Sequence, residues 1–278
     1  MSGAPTEPAW VRRLLIGIAV GFVGLFVAVP VALVLHHALA DGLHVFWAAI
    51  VDDPAAVAAI RLTALVALVA VPLNLIFGLA AAWAIARFRF RGRALLVTLI
   101  DLPFAVSPVI AGLVFVLLYG ARGVAGPWLA AHHLKVVFAV PGIVLATVFV
   151  TFPFVARELI PVMEAQGADE EEAALVLGAT GWQTFVRVTL PKIRWGLAYG
   201  VILCTARAVG EFGAVSVVSG HIRGRTNTIP LHVEILYDEY HYAAAFALSS
   251  LLLLIAIATL AARRIIEARA RAPGALVP

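Results

Sequence analysis

"AAAFALSSLLLLIAIATLAA", residues 243–262, runs for 20 positions without a charged side chain. A hydrocarbon core of about 30 Å takes about 20 helical residues at about 1.5 Å each, so this run is long enough to cross one. Its edges agree. Tyr240 and Tyr242 precede it and Arg263 and Arg264 close it, as an aromatic belt at one interface and a basic anchor at the other would require. Strands do not fit, because membrane barrels show alternating segments of about ten residues rather than unbroken runs of twenty.

The rest of the chain follows the same logic. Of 278 residues, 63% are hydrophobic and 13% charged, with a mean hydropathy of +1.02; a soluble domain is about half apolar and a quarter charged. The excess falls in five further blocks: 14–35, 62–86, 94–121, 136–156 and 195–220. Arg12 and Arg13 give the first block the basic start of a signal peptide. Its 22 uncharged residues exceed the about 7–15 of a signal core, and no small-x-small cleavage site follows, so it is expected to be retained as a span. The expected fold class is an all-α polytopic membrane protein: a tail 1–13, six transmembrane helices within 14–262, and a tail 263–278.

Orientation follows from Lys and Arg. With six spans both termini share a side, and that side holds fourteen basic residues: Arg12, Arg13, Arg87, Arg89, Arg91, Arg93, Arg157, Arg187, Lys192, Arg194, Arg263, Arg264, Arg269 and Arg271. The other holds five, Arg61, Arg122, Lys135, Arg223 and Arg225, with Arg207 inside a span. The positive-inside rule places both termini in the cytoplasm. The same scatter explains the pI of about 9.6 as topology, not nucleic-acid binding. Cys204 is the lone cysteine, which leaves no disulfide framework and no cysteine metal site; among apolar neighbours it reads as a small packing residue.

Between spans four and five stands "DEEEAALVLGATGWQTFVRVTLP", 169–191. Asp169 and Glu172 have the spacing of a helix-opening capping pair, and the four acids suit the positive end of a helix dipole. Gly178 is a helix stop, Thr180 and Gln183 repeat the capping pattern for a second helix from about Gly181, and Pro191 suits the first turn of the next span. Two short helices lying at an angle on the cytoplasmic face are expected. On local physics a loop that merely joins spans remains open.

"EAALVLGATGWQTFVRVTLP" resembles the EAA loop of ABC importer permeases, here Glu172, Ala173, Ala174, Gly178, Val188, Leu190 and Pro191, with Val188 where the family more often has isoleucine. The resemblance implies a type I importer permease fold whose loop 164–191 acts as the coupling helix on a cytoplasmic ATPase. "DLPFAVSPVIAGLVFVLLYG" (101–120), "VTFPFVARELIPVMEAQG" (150–167), "ARAVGEFGAVSVVSGHIRG" (206–224) and "NTIPLHVEILYDEYHYAAAF" (227–246) are similar to permeases for tetrahedral oxyanions, most closely the W type of sulfate/thiosulfate importers. What this implies is a heterodimer with a second, homologous permease, two ATPase subunits, a periplasmic sulfate-binding protein, and residence in the bacterial inner membrane among lipid. ATP would be bound by the partner, so no cofactor is expected here; molybdate or tungstate is the alternative cargo, and a self-sufficient secondary transporter the alternative class.

Asp101, Arg207 and Glu211 are ionisable residues inside spans, each costing about 2.5–3.5 kcal/mol at the bilayer centre on insertion scales, so they should face protein or water. Arg207 and Glu211, four apart, share a helical face and are expected to pair, although arginine before glutamate is the less favourable order. At about 1.5 Å per residue Asp101 lies about 12 Å and Arg207 about 18 Å from the cytoplasmic ends, within reach of each other across spans three and five. A structural ion cluster and a gate along the translocation pathway both fit, and Gly210 and Gly213 permit close helix approach in either. Prolines 30, 72, 103, 108, 141 and 153 inside spans are tolerable in lipid and suit kinks.

His36, His37, His132, His133, His44, His221, His232 and His241 show no recurring acidic partner at ligand spacing, so they are expected at the interfaces rather than on a metal. No GxxxxGK[ST] loop is present, and no nucleophile–base pattern. "HIRGRTNTIP" (221–230) offers two external arginines to an acidic partner surface or to solvent alike.

Overall fold

Proline and glycine decide where these helices begin, bend and stop. The computed structural model describes residues 8–270, and every regular element among them is helical; positions 1–7 and 271–278, including Arg271 and half of the expected C-terminal tail, lie outside the described residues. In chain order the helices are α1 Ala9–Leu39, α2 Leu43–Val51, α3 Pro54–Arg87, α4 Arg93–Ala105, α5 Pro108–Tyr119, α6 Gly126–Ala131, α7 Val140–Gln166, α8 Asp169–Val176, α9 Gly181–Val209, α10 Gly213–Ser219, α11 Ile229–Asp238 and α12 Tyr242–Ala270. Helices α1, α3, α7 and α12 are each long and apolar enough to cross a membrane, and the bent pairs α4–α5 and α9–α10 raise the number to six.

Three spans depart from the hydropathy blocks. Block 94–121 is not one rod: α4 and α5 meet at 109°. Pro108 lacks an N–H and pushes Ser107 to extended backbone, φ −57° and ψ 133°, which stops α4 although no charge marks the place. Block 195–220 bends by 50° after Val209, and its helix already starts at Gly181. Block 136–156 is displaced: Val136–Phe138 are loop, and α7 continues ten residues past Ala156 to Gln166. Arg157, which the topology count placed in a flank, is therefore inside a helix together with Glu158.

Two π turns widen the spans, Gly24–Ala28 in α1 and Phe185–Thr189 in α9. Both end two residues before a proline, Pro30 and Pro191. A proline ring crowds the carbonyl four residues back, Phe26 or Arg187, and a one-residue widening relieves the clash without breaking the helix. Pro191 thus sits within continuous helix Gly181–Val209 rather than opening a new one, a correction to the expected break before span five.

Helix α3 packs most widely on α7, and α9 closes over both. Ala82, Val155, Leu159, Met163, Ile193 and Cys204 form the core between them. Where the two long helices cross, a Cβ on Gly78 would lie 2.9 Å from the Val155 Cβ and 3.2 Å from the Ala156 nitrogen. Gly78→Val should therefore cost about 1–3 kcal/mol through overpacking, measured as a lower unfolding midpoint in detergent; Gly17→Ala, with nothing within 4 Å, should leave the midpoint unchanged. Deeper in the same core Asn74 Nδ2 donates to the Thr151 hydroxyl at 2.7 Å and approaches the Cys204 sulfur at 3.6 Å. This node ties α3, α7 and α9 at a point where the sequence shows only a single amide in an apolar block. By contrast, the apolar window of α1 buries nothing against the rest of the chain.

Candidate functional site

Helix α8 carries the sequence-predicted loop, and its ends are built as local chemistry requires, with one exception. Ala168, not Asp169, is its N-cap, and no side chain caps it. Asp169 and Glu172 are exposed, so the expected capping pair does not form; Glu170 and Glu171 are drawn sideways to cations instead. At the other end Gly178 adopts φ +91°, and the Ala179 N–H returns to the Ala174 carbonyl at 3.0 Å. That closure needs a residue without a Cβ penalty at the turn. The next helix opens with the expected capping box: Gln183 N–H donates to the Thr180 hydroxyl at 3.3 Å, and Thr180 N–H to Gln183 Oε1 at 2.9 Å.

The tip between the two helices is apolar and bare. Leu175 is 51% exposed, Val176 and Leu177 both 88%, and Trp182 73%. Of the motif residues, Glu172, Ala173, Gly178 and Pro191 are exposed, while Ala174, Val188 and Leu190 are half-buried; Leu190 packs on the α3–α7–α9 core. Phe185 in the π turn lies 4.9 Å, ring to ring, from Trp83 of α3, and Trp182 stacks on Phe185 at 5.7 Å.

Behind that tip is a group of charges whose cations the sequence showed only as topology markers and whose α8 acids it showed only as partners of a helix dipole. Arg87 Nε and Nη2 grip Glu171 at 2.7 and 3.0 Å, and Arg87 Nη1 donates to the Met163 carbonyl at 2.7 Å. The Thr189 hydroxyl donates to the same carboxylate at 2.8 Å. Lys192 pairs with Glu170 at 2.7 Å. Arg93 pairs with Glu164 and donates to the Ile85 carbonyl at 2.9 Å.

Of the intramembrane charges, Arg207 and Glu211 pair as their spacing predicts, and Asp101 does not join them. Arg207 Nη1 lies 2.5 Å from Glu211 Oε2. The pair spans the bend after Val209, so it bridges two helices rather than sharing one continuous face. Glu211 is 1% exposed in its side chain, and its Oε1 accepts from the Ala214 N–H at 2.9 Å, holding the start of α10. Asp101 does not meet Arg207; its Oδ1 lies 3.3 Å from Arg157 Nε, and Arg157 also stands over the Phe104 ring at 5.4 Å. The reason is the length of α7. Arg157 lies about 14 Å before its end and Asp101 about 12 Å into α4, so the two are level. Of the two small residues, Gly213 makes a close approach within this chain, its Cβ position 2.9 Å from Pro108, while Gly210 caps α9.

At the opposite end, Arg223 donates to Glu239, which holds the Glu239 carboxyl below the usual carboxylate range. Thr226, Asn227 and Thr228 are buried, so only the first half of "HIRGRTNTIP" is surface. His232, expected at an interface, is buried, with its Nε2 3.3 Å from Asp53.

Comparison with known proteins gives this architecture a family. Residues 74–272 match the family described as binding-protein-dependent transport system inner membrane component. The sulfate transport system permease protein CysW of Escherichia coli (strain K12) is 51% identical over 260 residues, 94% of this chain and 89% of that protein. The sulfate transport system permease protein CysT of the same strain is 40% identical over 256 residues, 90% of this chain and 92% of that protein. A chain in the crystal structure of a bacterial alginate ABC transporter, in complex with an alginate pentasaccharide-bound periplasmic protein, superposes with a TM-score of 0.75 at 17% identity, covering 94% of each chain. The chain therefore belongs to the binding-protein-dependent transport system inner membrane components, the multi-pass permease subunits of ABC importers.

Proposed function

We propose that this chain is the permease subunit of an ATP-driven sulfate/thiosulfate importer, with α8 and the start of α9 as its contact with the ATPase. The observation that carries the coupling role is the bare apolar tip, Leu175, Val176, Leu177 and Trp182, held between two closed helix ends on an otherwise polar segment. Exposed apolar surface of this kind is stable when a partner cleft covers it. A permease without nucleotide chemistry responds to ATP only if the nucleotide changes the energy difference between its two conformations. A rigid element joined to the membrane helices supplies that link. The EAA residues Glu172, Ala173, Ala174, Gly178, Val188, Leu190 and Pro191 divide between the tip and its root in α9.

The substrate reading is supported by 51% identity with a protein named a sulfate permease. The 40% relative bearing a second permease name suits a heterodimer of two homologous permeases. The assembly would then hold two ATPase subunits on the α8 side and a periplasmic sulfate-binding protein opposite, with both termini in the cytoplasm. Arg87, Arg93 and Lys192, which pair with Glu171, Glu164 and Glu170 in and beside α8, and their chain neighbours Arg89, Arg91, Arg187 and Arg194 support that orientation.

The test is uptake of labelled sulfate by proteoliposomes containing both permeases, the ATPase and the binding protein, with unlabelled thiosulfate, molybdate or tungstate as competitors. ATP-dependent uptake reduced by thiosulfate and unaffected by molybdate is expected. Uptake competed better by molybdate or tungstate would reassign the cargo. Uptake by this chain alone would remove the importer reading.

A further inference from the structure

Helix α8 buries none of its own residues, so apolar packing does not fix its position. Its covalent connections do not fix it either. Gly167 joins it to α7 at φ +66° and Gly178 joins it to α9 at φ +91°, and around both a Cβ would meet nothing within 4 Å. No Cβ restricts the backbone at such positions, and only main-chain bonds close the turns, Gly167 N–H to the Glu164 carbonyl at 3.4 Å and Ala179 N–H to the Ala174 carbonyl at 3.0 Å. A push on α8 delivered only through the chain would rest on these two turns.

What remains is the Arg87–Glu171 pair. Arg87 is the last residue of α3. Its guanidinium holds both oxygens of Glu171 and, with its third nitrogen, the Met163 carbonyl near the end of α7. Glu171 also takes the Thr189 hydroxyl of α9. The two side chains are 9% and 14% exposed. A forked contact of this kind fixes distance and plane together, which a lysine point charge does not. Lys192–Glu170, by comparison, has side chains 28% and 56% exposed, the kind of ion pair that solvent screens.

We propose that Arg87 and Glu171 are the positioning residues of a rigid joint that delivers displacement of α8 to α3 and α7, the two helices at the centre of the bundle, and not only to α9 along the chain. This rests on the reading of α8 as the ATPase contact.

The test has two arms. In the first, the full-length chain alone in lipid nanodiscs is followed by millisecond amide hydrogen exchange. Arg87→Ala and Glu171→Gln should speed exchange in 170–177 by about threefold or more, as a local opening rather than a global one, with 142–156 unchanged; Lys192→Ala should leave both segments unchanged. Unaltered exchange in 170–177 would overturn the proposal. Equal loosening of 142–156, which would make the pair a general support of the fold, would overturn it too. In the second arm, the full importer is reconstituted and sulfate moved per ATP is measured. Arg87→Ala should lower that ratio by about tenfold, within the usual range of coupling between sites, while ATP hydrolysis persists. The reciprocal exchange, Arg87→Glu with Glu171→Arg, should recover part of it. A parental ratio in Arg87→Ala would also sink the joint. Failure of the parental complex to move sulfate would count against the substrate reading and leave the exchange result standing.

Discussion

Arg207→Met should lower the stability of the folded chain by about 3–5 kcal/mol, the cost of leaving a buried charge without its counter-charge. Glu211 is the reason: its side chain is 1% exposed, and without Arg207 only the Ala214 N–H remains to offset the carboxylate. Adding Glu211→Gln should restore most of the loss, because glutamine keeps an acceptor for Ala214 and carries no charge. The double variant should end within about 1 kcal/mol of the parent, the net worth of an ordinary hydrogen bond. Unfolding midpoints in detergent for the two singles and the double form the cycle that checks this. A single variant with the parental midpoint but no uptake would make Arg207 a pathway residue instead of half of a structural clasp.

Gly178→Val should leave the chain inserted and folded yet reduce sulfate moved per ATP by about tenfold. The residue sits at φ +91° with nothing near its Cβ position, so no clash opposes a larger side chain. The strain is in the backbone, where a β-branched residue is a genuine outlier. Relief would come from turning α8 relative to α9, which moves the bare tip Leu175–Leu177 out of the ATPase contact proposed for it. Gly178→Asn should be much milder, since asparagine tolerates left-handed backbone. ATP hydrolysis and uptake measured together on assembled complexes decide the matter; an intact ratio in Gly178→Val would remove this turn from the coupling path.

The local features were legible in advance for a common reason. The stop at Gly178, the box from Thr180 to Gln183 and the apolar run of α12 each depend on residues within a turn or two of one another. The exception, Asp169, shows the limit of that rule. Its spacing to Glu172 suits a cap, but the acids beside it are taken by Arg87 and Lys192, which lie 84 and 22 positions from their partners. Arg87 itself looked like one more marker of the cytoplasmic side. Only a neighbour supplied by the fold turned it into a clamp. Asn74 was the one visible hint of the buried node, a single amide in the apolar block 62–86, yet nothing nearby named Thr151 or Cys204 as its contacts.

By itself the sequence determined that this chain is helical and crosses a membrane several times, because burial in lipid and helix capping are decided by composition and short-range spacing; the EAA loop is what its resemblance to importer permeases implies. The tertiary structure decided that Asp101 faces Arg157 instead of Arg207, and that a bend lies between Arg207 and Glu211, whose pairing the spacing already offered. Those outcomes depend on where helices end and how they cross. A ten-residue extension of α7 moves a side chain about 15 Å along its axis, far more than the reach of any ion pair.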